Sequence, residues 1–194
     1  MSPIRLSLAC LPLLLPMASI AQTTAPATPP GNTPAPPGRS QPLSTMRQAP
    51  SGEDFTFARK ASEDNAKEIA LGKIATDNGH SDATRQFGQR LVQDHSKANQ
   101  QLKALAQRKG LDLSPPSPKQ GKTAQKFRQM QGADFDRAFA DYMVKDHKKG
   151  IELYRKEASQ GRDADLKAFA RDTLPVLETH LQNAQSLQNQ NAGH

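Results

Sequence analysis

From Ser51 onward, small and apolar residues recur at alternating steps of three and four. Because an α-helix turns once in about 3.6 residues, this spacing places each set on one face of a helix. Four such faces follow one another, with a long connection between the second and the third. The pattern predicts an all-α fold: a four-helix bundle over residues 51–189 in which every helix turns one face toward a shared core.

The four faces combine small, apolar and a few polar residues. They are Ala58, Ala61, Asn65, Glu68, Gly72 and Ala75; then Gly88, Leu91, His95, Ala98, Leu102 and Leu105; then Phe135, Phe139, Met143, His147, Gly150 and Tyr154; and finally Leu166, Ala170, Thr173, Leu177, His180, Ala184 and Leu187. Asn78-Gly79 is expected to end the first helix. Ser81, Asp134 and Asp163 are expected to cap the other three at their N-termini. Pro175 is expected to kink the last helix.

The second and third bundle helices are joined by an unusually long segment, residues 111–132, which includes three prolines. Simple helical hairpins need only a few residues, so this segment is long enough to cross the bundle. The result would be the one-crossover topology of ferritin-like folds, with a short helix around Lys122–Met130 in the crossing.

Gly72 and Gly88 lie about equally far from the first turn, which predicts close contact between the first two helices.

An internal repeat relates the second and third bundle helices. At an offset of 52 positions, six residues are matched by identical ones: Phe87, Val92, Asp94, His95, Lys97 and Ala106 by Phe139, Val144, Asp146, His147, Lys149 and Ala158. The two helices therefore look like copies of one unit, although periodic helices also resemble one another by chance.

The first fifty residues have a different character. Residues 6–17 are apolar but too few to span a bilayer, and Ser19-Ile20-Ala21 fits signal-peptidase cleavage after Ala21. Residues 1–21 are therefore predicted to be a signal peptide, and the mature chain to be periplasmic or secreted. Residues 22–50 contain eight prolines and few large apolar side chains, which predicts a disordered tether. Residues 190–194 are expected to form a disordered tail.

Composition narrows the function classes. The chain carries a net charge of +7, but its basic residues are interleaved with acidic ones, and it has no Trp and two Tyr. Nucleic-acid binding favours a basic stripe with stacking aromatic residues, so no nucleic-acid partner is expected. Peripheral attraction to an anionic envelope surface stays open. No nucleophile or nucleotide motif points to an enzyme.

Three histidines interrupt the apolar faces. His95, His147 and His180 lie on three different helices, and Glu68 lies on the fourth. Counting from the turns places these residues within about a turn or slightly more of one another along the bundle. They are candidate ligands for a transition metal, zinc, copper or iron. The alternative is a metal-free polar core in which each histidine is hydrogen bonded.

Asp94 and Asp146 precede two of these histidines and point about 100° away from them on the helix. One interpretation makes them partners that orient a histidine on another helix. The other makes them surface partners of Lys97 and Lys149 at three-residue spacing, which is the commoner arrangement.

At these residues the sequence resembles the bacterial domain of unknown function family four-one-four-two (DUF4142). The segments that carry the resemblance are Glu68-Ile69-Ala70-Leu71-Gly72-Lys73, Phe87 through Leu91-Val92-Gln93-Asp94-His95, Phe135-Asp136-Arg137 leading to Tyr142-Met143-Val144-Lys145-Asp146-His147, and Leu174-Pro175 to His180-Leu181. The match covers about residues 53–188. The resemblance implies an exported protein of ferritin-like fold, of the kind often labelled an outer membrane protein, and it supplies no activity.

The chain departs from the di-iron ferritin-like pattern at the site itself. Those proteins carry Glu-x-x-His pairs, whereas Val92, Val144 and Leu177 stand three residues before the three histidines. A histidine-rich set suits zinc, copper or a single iron better than a carboxylate-bridged iron pair. The sequence thus favours an exported bundle that binds a transition metal, with a non-enzymatic structural or interaction module as the alternative.

Overall fold

The computed structural model describes residues 49–113 and 118–192. In these residues the chain forms five helices: α1 (Gly52–Asn78), α2 (Asp82–Lys109), α3 (Pro118–Arg128), α4 (Gly132–Gln160) and α5 (Ala164–Asn191). The predicted all-α fold is confirmed, with α1, α2, α4 and α5 as the bundle helices. The predicted signal peptide, and the predicted tether up to residue 48, lie outside the described residues. Helix α5 ends at Asn191, two residues beyond the predicted end of the bundle.

The helix ends follow local capping chemistry. Ser81 accepts a hydrogen bond from the Thr84 backbone N–H, and Asp163 accepts two from the first turn of α5, as predicted. The prediction for Asp134 is wrong, because α4 begins at Gly132 and Asp134 lies within its first turn. Gly132 adopts a φ of 63°, a left-handed conformation open to glycine, and with Gln131 as the cap the helix starts three residues earlier than predicted.

The order of the contacts gives the topology. Along α1, Glu53 pairs with Lys156 and Lys67 pairs with Asp146, so α1 and α4 are antiparallel neighbours. Along α2 and α5, Asp94 meets His180 and Lys109 meets Asp163, so these two helices are also antiparallel. Helices α2 and α4 consequently run in the same direction. The end of α2 and the start of α4 therefore lie at opposite ends of the bundle, which is the predicted one-crossover arrangement.

Helices α1 and α2 touch through their backbones at two glycines. A Cβ atom placed on Gly72 would lie 2.7 Å from the carbonyl oxygen of Gly88, and one placed on Gly88 would lie 2.6 Å from that of Gly72. Real Cβ atoms do not come so close to backbone oxygens, so both positions require glycine. The predicted close contact of the first two helices is present.

The core consists of two apolar clusters with a polar layer between them. One cluster includes Phe87, Phe135 and Phe139, and the short helix α3 packs against it through Phe127. The other is built around Phe57, Tyr154 and Phe169. Burying a large apolar side chain is worth roughly 1.5–3 kcal/mol, so each of these buried rings stabilises the bundle. No helix in the described part of the chain is long and apolar enough to cross a membrane.

Candidate metal centre

Three histidines, one from each of α2, α4 and α5, occupy the layer between the apolar clusters. His95, His147 and His180 are at most 5% exposed. Their ring centroids are separated by 5.9 Å between His95 and His147 and by 5.3 Å for the two pairs that include His180. Three helices therefore contribute one imidazole each to a single buried cluster.

Each of the three rings is fixed by one hydrogen bond from one of its nitrogens. His95 Nδ1 lies 2.9 Å from Asn65 Oδ1, an amide oxygen that can only accept. His147 Nδ1 lies 3.0 Å from the backbone carbonyl oxygen of Met143, which also only accepts. These two rings therefore carry their protons on Nδ1, and their Nε2 atoms hold free lone pairs.

His180 is held in the opposite tautomer. Its Nε2 donates to Asp94 Oδ2 across the α2–α5 interface, over 2.9 Å, which leaves the lone pair on Nδ1. A carboxylate that accepts from a histidine in this way is a common arrangement behind metal-bound imidazoles, because it fixes the ring and makes the other nitrogen a stronger donor.

The three remaining nitrogens have no hydrogen-bond partner. His95 Nε2, His147 Nε2 and His180 Nδ1 are all buried and unpaired. An unsatisfied buried polar atom costs about 1–3 kcal/mol, so three in one layer are a substantial destabilisation. A ligand that accepted all three lone pairs would remove this cost.

The cluster is held in its neutral form. Burial lowers the pKa of His95 well below its usual range, and the neighbouring His180 and His147 lower it further. Burial and His180 lower the pKa of His147 to about 4. Burial also lowers the pKa of His180, although the hydrogen bond and the charge of Asp94 act against it. Neutral imidazole is the form that coordinates a metal, so the rings are available as ligands at neutral pH.

The geometry suits a transition metal. One ring nitrogen from each histidine lies within 4.8 Å of the other two. Three atoms so placed share a point no more than about 2.8 Å from each, and zinc–nitrogen bonds are about 2.0–2.1 Å. Small rotations of the side chains would bring the nitrogens to bonding distance. Three histidines with a fourth position open to solvent or another ligand form a set typical of zinc, and imidazole also suits copper and iron.

Glu68 does not belong to this close cluster of three. It is 2% exposed and forms a hydrogen bond with Asp146. Burial, this hydrogen bond and the negative charge of Asp146 raise the pKa of Glu68 well above its usual range. Its environment thus favours the neutral form of Glu68 beside Asp146, and its Oε2 atom is buried without a partner.

Asp146 is the ionised member of this second group. Burial alone would raise its pKa, but the hydrogen bond with Glu68 and the charge of Lys67 lower it. Lys67 Nζ lies 2.8 Å from Asp146 Oδ1 and 2.8 Å from Asp64 Oδ1. A nearly buried ion pair thus joins α1 to α4 beside the histidine layer.

The commoner interpretation of the two aspartates, a surface pair with the lysine three residues on, is wrong. Asp94 instead accepts from His180 on α5, as the other interpretation predicts. That interpretation is wrong for Asp146, whose partners are Lys67 and Glu68 on α1. The sequence interpretation also did not identify the role of Asn65, although its polar side chain on the apolar face of α1 was a signal. The Met143 carbonyl has no signal in the sequence, because it is a backbone group.

Residues 40–187 match the model of a family described as a domain of unknown function, DUF4142. The chain belongs to this family. It is also similar in structure to a DUF305 fragment from Deinococcus radiodurans, with a TM-score of 0.64 and 11% sequence identity, over 74% of this chain and 99% of that one. At this identity the likeness shows the fold alone. None of the curated proteins compared with the chain matches it.

Proposed function

We propose that this DUF4142 chain binds one transition metal ion between α2, α4 and α5, through His95, His147 and His180. The observation that carries the proposal is the set of three buried, unpaired imidazole nitrogens, each opposite a nitrogen fixed by a hydrogen bond. A polar core that served packing alone would gain stability by pairing these atoms or replacing them with apolar groups. The sequence instead leaves three lone pairs together.

The ligand types indicate zinc or copper, with a single iron also compatible. Three protein ligands leave at least one coordination position for water or a small ligand. The pattern of residues 1–21 would direct the chain out of the cytoplasm. We therefore place the proposed activity in the bacterial envelope, as metal handling or protection under stress rather than as catalysis.

The test is metal binding by the purified full chain. After incubation with zinc or copper and removal of free ion, the chain should retain about one equivalent by elemental analysis. Its melting temperature should rise, because a ligand at 100 times its Kd adds about 2.7 kcal/mol to the free energy of unfolding. His147→Leu should weaken binding by at least 100-fold.

His80→Leu is the matched control, because the same change is made at an exposed turn. It should leave binding unaltered. If the chain holds no zinc, copper or iron at micromolar concentration and His147→Leu raises its stability, the three histidines are a metal-free polar core. The chain would then be a structural or interaction module.

A further inference from the structure

A groove of about 590 Å³ runs along the surface between α2 and α5. Its walls include Asp94, Lys97 and Ala98 from α2 and Thr173 and Val176 from α5. Val176 is 37% exposed and lies on the rim. The groove is thus open to solvent along the interface where the carboxylate of Asp94 meets His180.

Asp94 connects this groove to the histidine layer. Of the three groups that fix the histidines, Asn65 is 2% exposed and Met143 is fully buried. The side chain of Asp94, in contrast, is 33% exposed, and it touches His180, whose own side chain is fully buried. A single carboxylate therefore faces solvent on one side and a candidate ligand on the other.

We propose that the metal ion enters and leaves through the α2–α5 groove, with Asp94 as the first protein ligand that it meets. This inference rests on the proposed metal site and adds the route to it. Carboxylate oxygen binds hydrated divalent ions readily and exchanges them quickly. Movement of the ion from Asp94 to Nδ1 of His180 requires the ring to turn, which breaks the hydrogen bond between them. This hydrogen bond re-forms when the ring returns and the ion lies in the histidine layer.

The route is tested by kinetics, because an entry path alters rates and leaves the equilibrium unchanged. Stopped-flow mixing of the full chain with zinc gives the association rate constant, and transfer to a chelator in excess gives the dissociation rate constant. Val176→Trp should narrow the groove while all three histidines are kept in the sequence. We expect both rate constants to fall by about tenfold and the Kd to stay within twofold of the original value.

Gln182→Trp is the control, since Gln182 is an exposed residue of α5 that does not line the groove. Its rate constants should equal those of the unsubstituted chain. Asp94→Asn retains an oxygen that accepts from His180 and removes the charge, so it should also slow association about tenfold.

The outcomes separate the two proposals. If the unsubstituted chain binds no metal, both the site and its route are overturned. If it binds metal and Val176→Trp or Asp94→Asn leaves the association rate constant unchanged, the site stands and the route is wrong. A higher dissociation rate constant in Asp94→Asn with unchanged association would show that Asp94 only orients His180.

Discussion

The two copies of the repeated segment, residues 92–97 on α2 and 144–149 on α4, have the same pattern and different surroundings. Each has the order Val-x-Asp-His-x-Lys. In both copies the histidine is buried in the central layer, and its proton is fixed on Nδ1. The aspartates differ: Asp94 accepts from a histidine, whereas Asp146 binds a lysine and pairs with the buried Glu68.

The difference originates in the helix that faces each copy. Helix α5 presents His180 to Asp94, whereas α1 presents Lys67 and Glu68 to Asp146. The repeated segment therefore determines which residue is buried, and the opposite helix determines what its aspartate binds. The histidines should respond alike to perturbation, and the aspartates should not.

The largest expected effect concerns the histidines. The unfolded state binds a proton on each histidine near pH 6.5, whereas His147 in the folded state binds one only near pH 4. Between these values the unfolded state holds more protons, so stability should fall as the pH falls from about 6.5 to about 4. His147 alone should account for a loss on the order of 3 kcal/mol, at about 1.4 kcal/mol per pKa unit.

Denaturant unfolding at a series of pH values, without metal, measures this loss. His95→Leu and His147→Leu should each weaken the dependence of the unfolding free energy on pH. The two effects should be similar, because both histidines are buried in the same layer. If the unfolding free energy of one of the two variants still falls steeply with pH, the two copies are not equivalent even at their histidines.

A smaller effect is expected at Asp146. Removing it by Asp146→Ala leaves Lys67 nearly buried with Asp64 as its remaining carboxylate, and leaves Glu68 without its hydrogen-bond partner. Breaking a fully buried ion pair costs about 3–5 kcal/mol. Since Asp146 is 19% exposed, we expect about 2–3 kcal/mol by urea unfolding at pH 7. A cost under 1 kcal/mol would contradict the structural role of this pair.

The smallest effect is expected at the matching residue of the other copy. Asp94→Ala removes one hydrogen bond to a neutral ring from a partly exposed position, which should cost about 1 kcal/mol. The same urea experiment at pH 7 measures it beside Asp146→Ala. Equal costs for the two variants would mean that the difference in partners has no energetic consequence.

Much of the fold follows from the sequence because it depends on local rules. The three- and four-residue spacing, the caps at Ser81 and Asp163, and the length of segment 111–132 predict four helices and one crossover. The start of α4 was misplaced because a left-handed glycine, Gly132, begins that helix without a side-chain cap. A strong capping residue nearby, Asp134, was the misleading signal.

The site is harder to predict from the sequence than the fold, because it depends on which side chains meet between helices. Spacing along the faces was enough to bring three histidines to one layer. It could not show that the pKa of Glu68 would be raised beside Asp146, since this depends on burial and on a hydrogen bond across two helices. Nor could it distinguish Lys67 from Lys149 as the partner of Asp146, because a lysine three residues away is always within reach.

The glycine contact between α1 and α2 sets the axial register of the site. Asn65 lies seven residues before Gly72, and His95 lies seven residues after Gly88. In an antiparallel hairpin these equal offsets bring the two residues to the same height, about 10.5 Å from the glycines at 1.5 Å per residue. A slip of one helix past the other would separate the Asn65 amide from the His95 imidazole. The proton of that ring would then no longer be held on Nδ1. Two residues without side chains thus control, from two turns away, which nitrogen of His95 keeps its lone pair.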